Sequence, residues 1–121
     1  MAVEKSLSFE DWRQSRIHLA KVAGIDVLFR IVSVNLLLNK GEDLLSQISA
    51  IEDYKSQSWS DNNTLWLATV MREVLDTILP DVLQSPKWLT EALDDFEESE
   101  IIKLYNAVMY GVGVQKQAAG K

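Results

Sequence analysis

Between residues 17 and 34 the chain tends to alternate apolar and polar side chains, and after residue 40 its apolar positions recur three and four apart. The first pattern belongs to a pleated strand and the second to a helix with one buried face. Ser8 stands three positions before Asp11, a capping-box spacing in which hydroxyl and carboxylate satisfy the amides of a first turn. A short helix over 8–15 is expected, with Phe9 and Trp12 facing inward.

The segment 16–34 admits two readings. Ile25, Val27, Phe29 and Ile31 alternate with Asp26, Leu28, Arg30 and Val32, and half of residues 25–34 are β-branched. This gives a small β-hairpin at about 16–34, with a first strand near Ile17–Val22 and a turn at Gly24. A competing stripe of Phe9, Trp12, Leu19, Ala23, Val27, Ile31, Val34 and Leu38 would make one long helix. The hairpin is preferred, because glycine inside a helix costs about 1 kcal/mol and the β-branched run adds to that.

The rest reads as helices. Asn35 is placed to cap a turn of Leu36, Leu37 and Leu38 that stops at Gly41. Leu44, Ile48 and Ile51 then define a helix over 43–55, with Glu42 and Asp43 at its positive end. Residues 56–64 form a polar loop carrying Trp59. Leu67, Met71, Val74 and Ile78 mark a helix over 64–79 that Pro80 ends. Ser85 and Pro86 provide a cap and first turn for a helix through Trp88, Leu89, Ala92, Leu93 and Phe96. Ser99 starts the last helix, whose buried face is Ile101, Leu104, Tyr105 and Val108 and whose stop is Gly111. The fold class is therefore mainly α, four to five short helices in one domain spanning 1–121, with flexible ends at 1–7 and 112–121.

Composition narrows the function. A chain of 121 residues with 47% apolar and 25% charged residues can build one core. Twelve basic against eighteen acidic residues give a net charge of −6, and the basic residues are scattered along the sequence, so neither a nucleic acid nor an anionic membrane is expected as partner. There are no cysteines, and the start MAVEKSLSFEDW lacks a signal-peptide core. The most apolar stretch, Ile25–Leu38, is broken by Asp26, Arg30 and Asn35 and is too short to span a bilayer. A cytoplasmic location is expected.

Reactive groupings are not evident. His18 is the single histidine, so it has no pair for a metal. The serines lack a nucleophile elbow, and Gly111-Val112-Gly113 follows a helix where a phosphate loop would precede one. The acidic run Asp94, Asp95, Glu97, Glu98 and Glu100 lacks the ligand spacing of a calcium loop and reads as a solvated face whose later members favour a helix N-terminus. No catalytic residue, cofactor or metal is assigned. Four tryptophans are many for this size, and tryptophan is enriched where proteins bind one another. Trp66 and Trp88 are expected in the core. Trp59, in its polar loop, is a candidate partner-binding residue, as are Ile101, Leu104, Tyr105 and Val108.

Two stretches resemble a known family. Val22–Leu45, VAGIDVLFRIVSVNLLLNKGEDLL, is similar to the entry of tail assembly chaperones of long-tailed bacteriophages: a short hairpin with a basic residue, then a leucine-rich turn ending in glycine. Phe96–Val114, FEESEIIKLYNAVMYGVGV, resembles that family's last helix, with its acidic start, Tyr or Phe, Asn-Ala and closing glycine. Where the family often opens its hairpin on a Pro-Ser-Gly turn, this chain has Val22, Ala23 and Gly24.

The resemblance implies a non-catalytic chaperone in the host cytoplasm. Such a protein binds the tape measure protein, recruits tail-tube subunits, leaves before the particle is finished and can form a homo-oligomer. It also implies a frameshifted longer product, for which Gly120-Lys121 could encode the slip site. The alternatives are a structural or adaptor component of the particle, at the head-tail joint or baseplate, and a helical regulatory module that binds a host protein.

Overall fold

The computed structural model describes residues 8–56 and 64–120, with side chains over 8–55 and 64–109. The expected lead-in over 1–7 lies outside the described residues, as does the expected polar loop over 56–64 except for its ends, Ser56 and Thr64, which belong to helices. Described elements run α1 (Phe9–Gln14), β1 (Ile17–Val22), β2 (Ile25–Arg30), α2 (Val34–Lys40), α3 (Glu42–Ser56), α4 (Thr64–Val82), β3 (Leu83–Ser85), α5 (Leu89–Ala92), a 3₁₀ turn (Leu93–Asp95) and α6 (Glu98–Gly120). The protein is mostly helical, with one small antiparallel sheet in the order β1-β2-β3.

The hairpin reading of 16–34 holds. β1 pairs with β2 from Ile17 opposite Arg30 to Val22 opposite Ile25. Ala23 (φ 54°) and Gly24 (φ 78°) turn the chain between them. Two successive left-handed residues suit a two-residue hairpin turn, whose twist matches that of the strands. Glycine takes this conformation freely, whereas alanine pays about 1–2 kcal/mol for it. Ala23→Asn is therefore expected to stabilise the protein by about 0.5–1 kcal/mol, since asparagine tolerates the left-handed region. Thermal melting checks this, and a lower melting temperature would contradict it.

Alternation puts Val22, Val27 and Phe29 into the core and leaves Leu19 and Leu28, a cross-strand pair, on the outer face. β3 was not expected. Its residues Leu83, Gln84 and Ser85 are too few to show a period, and they become a strand because β2 offers its free edge: Phe29 pairs with Leu83 and Leu28 with Ser85, across a register shift. Ser85 thus lies in the sheet and does not cap a helix. The Ser85–Pro86 peptide is cis. Beyond it comes only the four-residue α5, which starts after Trp88 with no side-chain cap, and then the 3₁₀ turn.

α4 is the central element. Leu67, Ala68, Met71, Val74, Leu75, Ile78, Leu79 and Val82 form a continuous buried stripe, and the helix packs against α3 and α6. Pro80 does not end it, and α4 runs on to Val82. A proline there forfeits one amide bond in the last turn, where Arg30 Nη2 donates to the carbonyl of Asp81 and satisfies one of the groups a helix end leaves open. Lys40 Nζ pairs with the Asp81 carboxylate at 2.5 Å, tying the end of α2 to the same place.

Other boundaries move for local reasons. Ser33, not Asn35, caps α2: its Oγ accepts from the Leu36 amide at 3.1 Å. The stop at Gly41 stands, with φ at 106°. α6 begins at Glu98, where the Glu97 amide donates to Glu100 Oε1 at 3.1 Å, and its backbone stays helical past Gly111 to Gly120. A glycine weakens a helix by about 1 kcal/mol without blocking it as proline does.

α1 has the serine half of its expected capping box, Ser8 Oγ accepting from the Asp11 amide at 3.0 Å, but none of its residues is buried. Phe9 (67% exposed) and Trp12 (46%) face outward, correcting the inward orientation expected of them. In a helix of six residues their spacing puts them on one face without deciding what that face meets. They stack on each other, and Arg13 and Arg16 lie over the Phe9 and Trp12 rings at 5.5 and 4.9 Å.

Candidate binding surfaces

The residues singled out as partner contacts separate cleanly. Ile101, Leu104, Tyr105 and Val108 occur at i, i+3, i+4 and i+7 on α6, and all four are buried in the core with α4 across from them. They make fold, not an open face. Trp59 lies outside the described residues.

Trp66 and Trp88 were expected in the core, and both stand at the surface, 44% and 53% exposed. On α4 the buried stripe begins with Leu67 and Ala68, which rotates Trp66 off the core side, where its ring tilts against Tyr54 at 5.6 Å. Trp88 immediately precedes α5, and Leu89 and Leu93 take the interior positions there. All three described tryptophans are thus displayed by a core that closes without them. Val34 and Leu38, one turn apart on α2, and Leu65 beside Trp66 add further exposed apolar side chains.

A groove of about 460 Å³ opens between α3 and α6, lined by Glu52, Lys55, Lys103, Tyr105, Asn106, Ala107 and Met109. Lys55 Nζ spans it, donating to Asn106 Oδ1 at 3.1 Å. Tyr105 belongs to this lining although it is fully buried, and its hydroxyl finds no hydrogen-bond partner among the described residues. Burial pushes the Tyr105 hydroxyl pKa upward, and the negative charge of Glu52 adds to that.

The folded protein therefore holds this proton more tightly than the unfolded chain, whose phenol titrates near pH 10. The associated stability is whole below about pH 10 and is lost as pH rises above it. Tyr105→Phe is expected to lose less melting temperature than the parent between about pH 9 and 11. Parallel melting curves over that range would contradict the assignment.

The acidic run is tied into structure. Arg72 bonds Asp76 at 3.1 Å and reaches Asp94 at 2.9 Å, and Glu98 and Glu100 sit in the first turn of α6, where negative charge is favoured. Among the described residues no group of His, Cys, Asp or Glu is arranged to hold a metal ion. The His18 ring stacks on Phe29 at 6.1 Å.

No family model, curated protein or solved structure matches this chain.

The surface chemistry therefore has to speak for itself. It consists of displayed aromatic side chains, a mixed-charge groove, and a cluster of arginines that sequence order concealed. Arg13, Arg16 and Arg30 are spread over eighteen positions of the chain but line one small pocket with Trp12, Ile31 and Ser33. The scattering of basic residues along the chain does not persist in space. Among the described residues, no helix is long and apolar enough to cross a membrane.

Proposed function

We propose that the protein is a non-catalytic binding protein that shelters an aggregation-prone helical partner, in the manner of the bacteriophage tail assembly chaperones that two of its segments resemble. The observation that carries this reading is the display of Trp12, Trp66 and Trp88 on a body whose core is complete without them. Exposing large aromatic rings costs solvation free energy that a partner's apolar stripe would recover, and tryptophan gives the largest return per residue at interfaces. The net charge of −6 keeps a complex with such a partner soluble. Under this reading the partner is the tape measure protein, and tail-tube subunits are recruited to the complex in the host cytoplasm.

Mass spectrometry of purified phage particles and of the lysate they came from tests the proposal. Peptides of this chain are expected in the lysate and not in the particles. Stoichiometric copies in the particle would instead make it a structural or adaptor component.

A further inference from the structure

We propose that the pocket at the open end of the hairpin is an anion site that takes one oxyanion group, a carboxylate or a phosphate, between Arg13, Arg16 and Arg30. This is independent of whether the protein shelters a helix.

Three elements build the pocket. Arg13 is in the last turn of α1, Arg16 directly precedes β1, and Arg30 ends β2 opposite Ile17. The Ile31 amide donates to the Arg16 carbonyl at 2.9 Å, so the hairpin's own pairing holds Arg16 beside the end of β2. Ser33 completes the wall. Its hydroxyl accepts from the Leu36 amide and keeps its proton for an acceptor.

The electrostatics ask for an anion. In a chain of net charge −6, with carboxylates to spare, no ion pair forms at Arg13, Arg16 or Arg30 among the described residues. At Asp81 only the carbonyl meets Arg30, while the carboxylate is held by Lys40. Arg30 Nε is buried and finds no acceptor among the described residues. A buried donor without an acceptor is costly, and a charged one more so. Arg13 and Arg16 lie over the Phe9 and Trp12 rings at 5.5 and 4.9 Å, and neither guanidinium makes a hydrogen bond among the described residues. Guanidinium edges are matched to planar carboxylates and to phosphate oxygens.

Size limits the ligand. The pocket has a volume of about 150 Å³, room for one oxyanion group with its waters but not for enclosing a whole nucleotide. The exposed rings of Phe9 and Trp12 lie beside it and would contact whatever carries that group.

The test is titration of the ¹⁵N-labelled full chain at low, matched ionic strength, with chloride as the blank. Inorganic phosphate and hexaglutamate are added separately while the Arg Nε–H and Trp12 indole signals are followed. Saturable shifts at Arg30 Nε–H and the Trp12 indole are expected. Saturation by phosphate assigns a free phosphate ligand, and saturation by hexaglutamate alone assigns a carboxylate of an acidic peptide. The Arg13→Gln/Arg16→Gln double variant changes only side chains of the pocket rim and should weaken binding about tenfold or more. Arg72→Gln, away from the pocket, should bind as the parent does. No saturation beyond chloride, or undiminished binding by the double variant, would overturn the proposal. So would tighter, arginine-dependent binding of a single-stranded oligonucleotide, which would make this a nucleic-acid surface.

Discussion

Replacing Tyr105 with alanine should lower the stability of the protein by roughly 3–5 kcal/mol, the range for removing a large aromatic side chain from a core. Total stabilities of domains this size are only about 5–15 kcal/mol, so much of the variant would be unfolded at moderate temperature. Tyr105 is fully buried on α6 and belongs with Ile101, Leu104 and Val108 to the core, so truncating it removes packing from that core. Urea unfolding measures the effect as a large fall in midpoint at nearly constant slope. Tyr105→Phe should keep the packing and lose only a hydroxyl without a partner among the described residues, leaving stability unchanged or raised by about 1 kcal/mol. If the alanine variant unfolded like the parent, Tyr105 would belong to a surface and the core described for α4 and α6 would be wrong.

The second large effect concerns binding, and it runs opposite in stability. The double variant Trp66→Ala/Trp88→Ala should weaken capture of the proposed tape measure partner by at least about thirtyfold, and by roughly a thousandfold where the two effects add, since aromatic anchors of an interface are each worth about 2 kcal/mol or more. Its own stability should change little. Trp88 is more than half exposed, and Trp66 gives up mainly its contact with Tyr54, a pair worth about 0.5–1.5 kcal/mol. Co-purification at graded partner concentration reads the affinity, and thermal melting reads the fold. Undiminished capture would move the partner surface away from these two rings.

Much of the fold was legible because its longest helices carry long periods. The stripe on α4 spans four turns, and that on α6 repeats at i, i+3, i+4 and i+7, so no short-range accident can imitate them. The hairpin was legible for a different reason: alternation over Ile25–Phe29, with glycine at the turn, outweighed a helical stripe that put Gly24 in mid-helix. The strand at Leu83–Ser85 and the orientation of α1 were not legible. β3 is a strand by virtue of the edge it meets, and α1 presents Phe9 and Trp12 to solvent because six residues cannot specify their neighbour. Pro80 misled because its cost depends on place, and in a last turn braced by Arg30 and Lys40 it is small.

The candidate surfaces were harder to read, since the same residue types serve cores and interfaces. The face of Ile101, Leu104, Tyr105 and Val108 had the apolar character of a contact and is interior, whereas Trp66 and Trp88 had the character of core and are displayed. One position of rotation past the stripe of α4 decides the matter for Trp66. The arginine pocket is a product of strand register: Arg16 and Arg30 are fourteen positions apart and meet only because β1 and β2 pair end to end. No inspection of charge along the chain reveals it.

Under the proposed function this protein acts by adhesion, covering a helical partner that cannot stay soluble alone. Co-expression with a phage tape measure protein, the proposed partner, followed by separation of soluble and pelleted fractions, measures that most directly. The partner should move from the pellet into a soluble complex with this chain, and the Trp66→Ala/Trp88→Ala variant should leave it in the pellet. A partner that pellets to the same extent with and without the parent chain would contradict the account.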